Sequence, residues 1–278
     1  MSERVLLAGC GDLGLRVAAL LLEQGDDVYA LRRHAPAPDG SSLRWLSGDL
    51  TQRETLRSLP TGITQLVYLP TPDAREEAAY RAIFIDGLRN VLDALTENSL
   101  QRVLFVSSTA VYGEHGDQWV DEATPPAPLG FNGEVLLEAE RWLAPQPVRS
   151  IALRLAGLYG PGRIQLIERL RSGLASAPRK PVHWTNRIHI DDAAAAIAHL
   201  LRIREPQTLY LGVDDTPLPM DELYESLAAL IGAAAVPEGS APASIGSKRL
   251  SNARLRESGF RFRWPDSRVG YAHLLPAR

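Results

Sequence analysis

Apolar residues in this chain fall into short uninterrupted runs separated by amphipathic stretches. Arg4–Ala8 (RVLLA) is the first such run, and Leu13, Val17, Leu20 and Leu21 then recur at the spacing of one buried helix face. Gly25 stops that helix and Asp27–Leu31 reads as a second strand. Leu43–Leu46 predicts a third strand, with Thr51 placed to cap a helix through Leu59. Leu66–Leu69 predicts a fourth, closed by Pro70, before a long helix over 75–95 with Phe84, Leu88, Val91, Leu92 and Leu95 on one face. Arg102–Val106 predicts a fifth strand, and the proline-rich stretch Glu114–Gly130 a loop across the top of the sheet. A helix through Trp142, a strand at Arg149–Leu155, a helix over Ile164–Leu174, an extended piece about 182–190 and a helix over Asp191–Leu201 complete the alternation. Strand–helix alternation of this kind predicts an α/β fold built on a doubly wound parallel sheet. Beyond it, Thr208–Val213 reads as a strand, Met220 opens a helix, and 233–247 is an Ala/Gly/Pro/Ser-rich loop. The expected division is a core at 1–160, completed by about 182–205, and a small C-terminal substrate lobe from 161–181 and 206–278 covering the cleft.

Between the first strand and the first helix the chain reads Gly9-Cys10-Gly11-Asp12-Leu13-Gly14, a G-x-G-x-x-G turn in the strand–turn–helix context of a Rossmann dinucleotide site. Gly9 permits the sharp turn, Gly11 keeps no side chain between a pyrophosphate and the main chain, and Gly14 lets helix and strand pack closely. The first-turn N–H groups, those of Asp12 and Leu13 included, are expected to hold the phosphates. A site selecting NAD carries Asp or Glu at the end of the second strand; here Arg32 and Arg33 stand there, which predicts NADP in preference to NAD through paired hydrogen bonds to a 2′-phosphate. The other reading is that they open the loop His34–Ser42. Asp49 is placed to accept from the adenine amino group, with Leu50 packed on the ring. Leu69, Pro70, Ser107 and Ser108 stand at further strand ends, so these residues are expected to converge on one cleft.

Composition narrows the partners. With 278 residues, 45% hydrophobic, 23% charged and a net charge of −3, the chain offers no basic excess for nucleic acid or an anionic membrane. Cys10 is the single cysteine, which excludes an intrachain disulfide, and the six histidines show no metal-ligand spacing, so no metal site is expected. No stretch is long and apolar enough to span a bilayer, and a first strand beginning by Arg4 does not resemble a signal peptide, so a cytoplasmic location is expected.

Four segments carry a resemblance: Val106-Ser107-Ser108-Thr109-Ala110-Val111-Tyr112-Gly113, Arg154 through Tyr159-Gly160-Pro161-Gly162, Arg187-Ile188-His189-Ile190-Asp191-Asp192, and Leu250 through Gly259-Phe260. Together they resemble the extended short-chain dehydrogenase/reductase family, the NAD-dependent epimerase/dehydratases, over nearly the whole chain. The glycine turn departs from the G-x-x-G-x-x-G usual among extended members and is similar to the atypical branch. The resemblance implies nicotinamide-dependent chemistry on a small polar substrate such as a nucleotide sugar, with Ser108 orienting the substrate oxygen. It also implies a Tyr and a Lys on the helix after the proline-rich loop, in the pattern Y-G-x-x-K-x-x-x-E. Anchored on Gly133 and Glu140, that pattern puts Asn132 at the Tyr and Leu136 at the Lys. Neither replaces the proton relay. The remaining candidates are Ser108, Glu134 (one turn from Glu138) and Tyr112. Thr109 stands where dehydratases carry an acid, His189 reads as a structural contact, and Arg163 and Arg187 as candidates to pair with an anionic substrate. The competing function is a non-catalytic NADP-sensing protein that regulates a protein partner. A homodimer through the 75–95 helix is expected by analogy with relatives.

Overall fold

The computed structural model describes residues 2–37, 40, 42–95 and 99–275; positions 38, 39 and 41 of the expected 34–42 loop lie outside them. The elements that position the site are β1 (Arg4–Ala8), helix α1 (Asp12–Glu23), β2 (Asp27–Arg32), β3 (Arg44–Ser47), β4 (Gln65–Tyr68) and β5 (Arg102–Ser108). They belong to a seven-stranded sheet that runs Leu209–Gly212, Arg149–Leu155, β5, β4, β1, β2, β3. β1 lies parallel to both β2 and β4, β2 to β3, and β4 to β5. This is the doubly wound Rossmann-like order, and the direction of winding reverses between β1 and β4. Val5, Leu6, Leu7 and Ala8 are all fully buried, as a strand covered on both faces must be.

Register aligns the carboxyl ends. Ala8 is opposite Leu31 on β2 and Tyr68 on β4, Arg32 is opposite Ser47, and Tyr68 is opposite Phe105. Gly9, Arg33, Gly48, Leu69 and Val106, one step or less beyond those pairs, therefore share one edge of the sheet.

Three expectations need correction. The helix expected over 51–59 is a single 3-10 turn, Arg53–Leu56. Thr51 does not cap it: Asp49 Oδ1 accepts from the Thr51 amide and hydroxyl, and the Thr55 hydroxyl bonds the Asp49 and Gln52 carbonyls, so local side-chain bonds replace helical ones. The long helix is broken into Glu77–Arg81, a π turn at Ala82–Asp86, and Gly87–Ala94. The Tyr68 hydroxyl donates to the Ile83 carbonyl inside that turn, and a Cβ on Gly87 would lie 2.6 Å from it. The π turn thus makes room for a phenol inserted into the hydrogen-bond ladder. Finally, Glu114–Gly130 contains a strand, Trp119–Val120, paired parallel with Arg249–Leu250.

The chain forms two compact units. The first comprises Met1–Ser108, Phe131–Arg154 and Ala194–Tyr210, and the second Thr109–Gly130, Leu155–Ala193 and Leu211–Arg278. The second thus takes in 109–130, which the sequence placed with the core. Its own apolar centre gathers Tyr159, Ile167, Leu170, Leu223, Leu227 and Tyr271, with the Tyr159 and Tyr271 rings stacked at 4.3 Å. Among the described residues no helix is long and apolar enough to cross a membrane.

Candidate dinucleotide site

The glycine turn lies where the winding reverses. Gly9 has φ +85°, and a Cβ there would fall 2.4 Å from the Pro70 Cα, so the turn after β1 and the start of the loop after β4 touch backbone to backbone. The Gly9 and Cys10 amides both donate to the Leu31 carbonyl, and the Leu69 amide donates to the Ala8 carbonyl. Gly14 is equally crowded: its Cβ would meet Cys10 Sγ at 2.9 Å and Leu69 Cδ1 at 3.1 Å. Gly11 is the opposite case. A Cβ there would meet nothing within 4 Å, and its φ of −96° is open to any residue. Packing therefore does not require glycine at this position. Gly11 is also the N-cap of α1, with no side-chain capping bond, and the helix gives its own first-turn N–H groups no acceptor. A bare helix end beside open space fits a diphosphate. Asp12 pairs with Arg16 at 3.2 Å and Leu13 is buried, so neither side chain is offered to a ligand. Cys10 is buried and its thiol is pushed up to about 12 by that burial, so it is no nucleophile.

At the ends of β2 and β3 the expected residues are present but differently engaged. Arg33 grips Asp73 two-pronged, Nη1 donating to Oδ2 at 2.6 Å and Nη2 to Oδ1. Arg32 lies over the Trp45 ring, 5.6 Å from its centroid. Asp49 turns Oδ1 into its own loop, as above. Leu50 is buried, its Cβ lies 3.3 Å from where Gly87 would carry one, and its carbonyl accepts from Asn90. Leu69 is likewise buried, packed toward Gly14.

At the end of β5, Ser107 also departs from expectation. It is buried and donates at 2.5 Å to Glu140 Oε1, while Arg154 closes on the same carboxylate through Nε at 3.0 Å and Nη2 at 2.6 Å. With side chains 5% and 9% exposed, the Arg154–Glu140 pair is sealed from water. Ser107 thus ties β5 to helix Phe131–Leu143. Ser108, the last residue of β5, is half-buried. On the helix, Leu136 is buried beside Val135, Ala139 and Leu143, Asn132 is half-buried, and Glu134 is exposed. Glu138 is paired with Arg81 at 2.9 Å, both side chains partly exposed.

In the second unit Tyr112 is 1% exposed and its hydroxyl donates to the Asp121 carbonyl at 2.9 Å, so this phenol packs and is not offered to a substrate. His189 is buried, edge-on to Tyr159 at 5.1 Å, with Nδ1 accepting from the Asp191 amide. Two buried charges there escaped sequence reading. Desolvation pushes the Asp214 carboxyl up to about 8 and the Lys248 ammonium down to about 8; Lys248 donates to the Gly246 carbonyl at 2.9 Å. Arg187 is within electrostatic reach of Asp214. Among the described residues no group of three or more His, Cys, Asp or Glu side chains is placed to hold a metal ion.

Asp73, Glu140 and Arg154 are further residues whose roles sequence reasoning missed. A charged residue inside the apolar strand Ile151–Leu155 was the one available signal, because such a residue needs a buried partner.

Known proteins share this architecture. The Escherichia coli K12 protein YeeZ is 27% identical over 277 residues, covering 96% of this chain and 98% of that protein. The structure of a Methylobacillus flagellatus protein, provisionally named an NAD-dependent epimerase/dehydratase, is 42% identical with a TM-score of 0.83, covering 99% of this chain and 98% of that one. The Thermus thermophilus UDP-glucose 4-epimerase, solved with NAD, shares the fold at 21% identity and a TM-score of 0.79, covering 98% of this chain and 97% of that one. Residues 5–212 match the model of the NAD dependent epimerase/dehydratase family, and the chain belongs to that family.

Proposed function

We propose that this chain binds a nicotinamide adenine dinucleotide at the glycine turn and acts on a small polar substrate such as a nucleotide sugar, without the family's tyrosine–lysine proton relay. The observation that carries the reading is Gly11: nothing in the protein fills the space its side chain would take, while Gly9 and Gly14 beside it are crowded to contact. A bound nicotinamide supplies a hydride donor or acceptor. The chain's own part is to hold the diphosphate on the first-turn amides of α1, the Gly11 amide being bonded to the Gly9 carbonyl, and to orient a substrate oxygen with the Ser108 hydroxyl. Asn132 carries no titratable proton and Leu136 no charge, so proton movement falls to Glu134 or to the substrate itself. The Thermus enzyme, which shares the fold, is named for a nucleotide sugar, and that supports the substrate class.

A second reading is a cofactor-sensing protein that regulates a protein partner. The burial of Leu136 favours it, because the lysine position has become part of the helix's apolar face. Calorimetry with NAD, NADH, NADP and NADPH tests the shared claim; micromolar binding of at least one is expected. Nicotinamide absorbance on a panel of nucleotide sugars then separates the two readings. Turnover supports the enzyme, and tight binding without turnover supports the sensor.

A further inference from the structure

We propose that Asp73 is the cofactor-specificity residue of this site: its carboxylate fills the Arg33 fork that a ribose 2′-phosphate would otherwise occupy, and so turns the site toward the unphosphorylated dinucleotide. The inference rests on the dinucleotide reading above. From sequence, Arg32 and Arg33 at the end of β2 point to NADP; the structure shows what they hold instead. Both terminal nitrogens of Arg33 face the two oxygens of Asp73, the fork geometry in which a guanidinium binds a carboxylate or a phosphate. One such face cannot serve both anions at once. Arg32 lies over Trp45 on β3, so its guanidinium is stacked on that ring. Asp49 adds a second carboxylate within electrostatic reach of Arg33.

Charge then decides the selection. Beside the Arg33–Asp73 pair, Asp49 lies within electrostatic reach of Arg33, so the guanidinium already has two carboxylates around it. A 2′-phosphate must displace Asp73 from Arg33 or sit beside it as a like charge. A ribose hydroxyl does neither, since it can donate to Asp73 or accept from Arg33. Arg33 holds the Asp73 carboxyl below its ordinary range, so the carboxylate is charged at neutral pH. The pair is exposed, with side chains 52% and 66% accessible, so either dinucleotide can reach it and the effect is one of preference.

The test is calorimetry of NADH and NADPH on the full chain and on Asp73→Asn, with melting temperature as the control for folding. The wild type is expected to bind NADH more tightly. Asp73→Asn is expected to move the NADPH-to-NADH affinity ratio about tenfold toward NADPH, the order of a single charge contact in a water-like dielectric, as this exposed site provides. Melting stays unchanged, and NADH affinity changes less than NADPH affinity. Adding Arg33→Gln should abolish the gain, and high salt should shrink the wild-type bias. If both dinucleotides bind and the ratio does not move in Asp73→Asn, the inference is overturned while the dinucleotide reading stands. If neither binds the wild type, the dinucleotide reading itself fails.

Discussion

One edge of one sheet carries two kinds of strand end. After β1 and β4 the chain exposes backbone: Gly9 against Pro70, an uncapped helix start, and open space at Gly11. After β2 and β5 it presents side chains already taken by the protein, Arg33 by Asp73 and Ser107 by Glu140. The first kind offers main-chain groups with no side-chain cap. The second is satisfied from within, so a ligand there must compete or go elsewhere. A residue of the right chemistry at a strand end is therefore not yet a contact; what else claims its hydrogen bonds decides.

Substitutions can break this contrast at each end. The largest effect is expected at the sealed end of β5. Glu140→Gln leaves the buried Arg154 guanidinium uncompensated and should cost about 3–5 kcal/mol in denaturant unfolding. A loss below about 1 kcal/mol would mean that water reaches the pair and the end of β5 is open after all. Gly9→Ala comes next. Its Cβ would collide with the Pro70 backbone at a positive φ, which should cost on the order of 3 kcal/mol. Thermal melting checks this, and a melt equal to the wild type would show that the β1–β4 contact is loose. Smaller again is the Asp73→Asn change described above, which alters binding preference and leaves melting where it was.

The same contrast explains what the sequence revealed. Apolar runs and the glycine spacing are local, and they placed β1, α1, β2, β5 and the strand Arg149–Leu155 within about two residues of their observed bounds. The roles of Gly9 and Gly14 were legible because a backbone conformation or close approach demands a residue type at a fixed place. Side-chain pairing is not local. Asp73 lies 40 residues from Arg33, and Glu140 lies 33 from Ser107. No periodicity links such positions, so Arg33 and Ser107 read as cofactor contacts. Leu50 is ambiguous for a related reason: an apolar residue at a strand end reads alike whether a helix or an adenine ring covers it. The broken 75–95 helix was hidden too, because its cause is the hydroxyl of Tyr68 on a neighbouring strand.

The central claim is that the start of α1 is kept bare for a diphosphate, and Gly11→Ala tests it most directly. Its φ suits alanine and no atom lies within 4 Å of the new Cβ, so stability should fall by less than about 1 kcal/mol. Dinucleotide affinity, measured by calorimetry on the same sample, should fall at least tenfold, since about 1.4 kcal/mol is lost if the methyl group holds the phosphates off the amides. An unchanged melt with weakened binding is the predicted result. Gly11→Ala binding as tightly as the wild type would contradict the account.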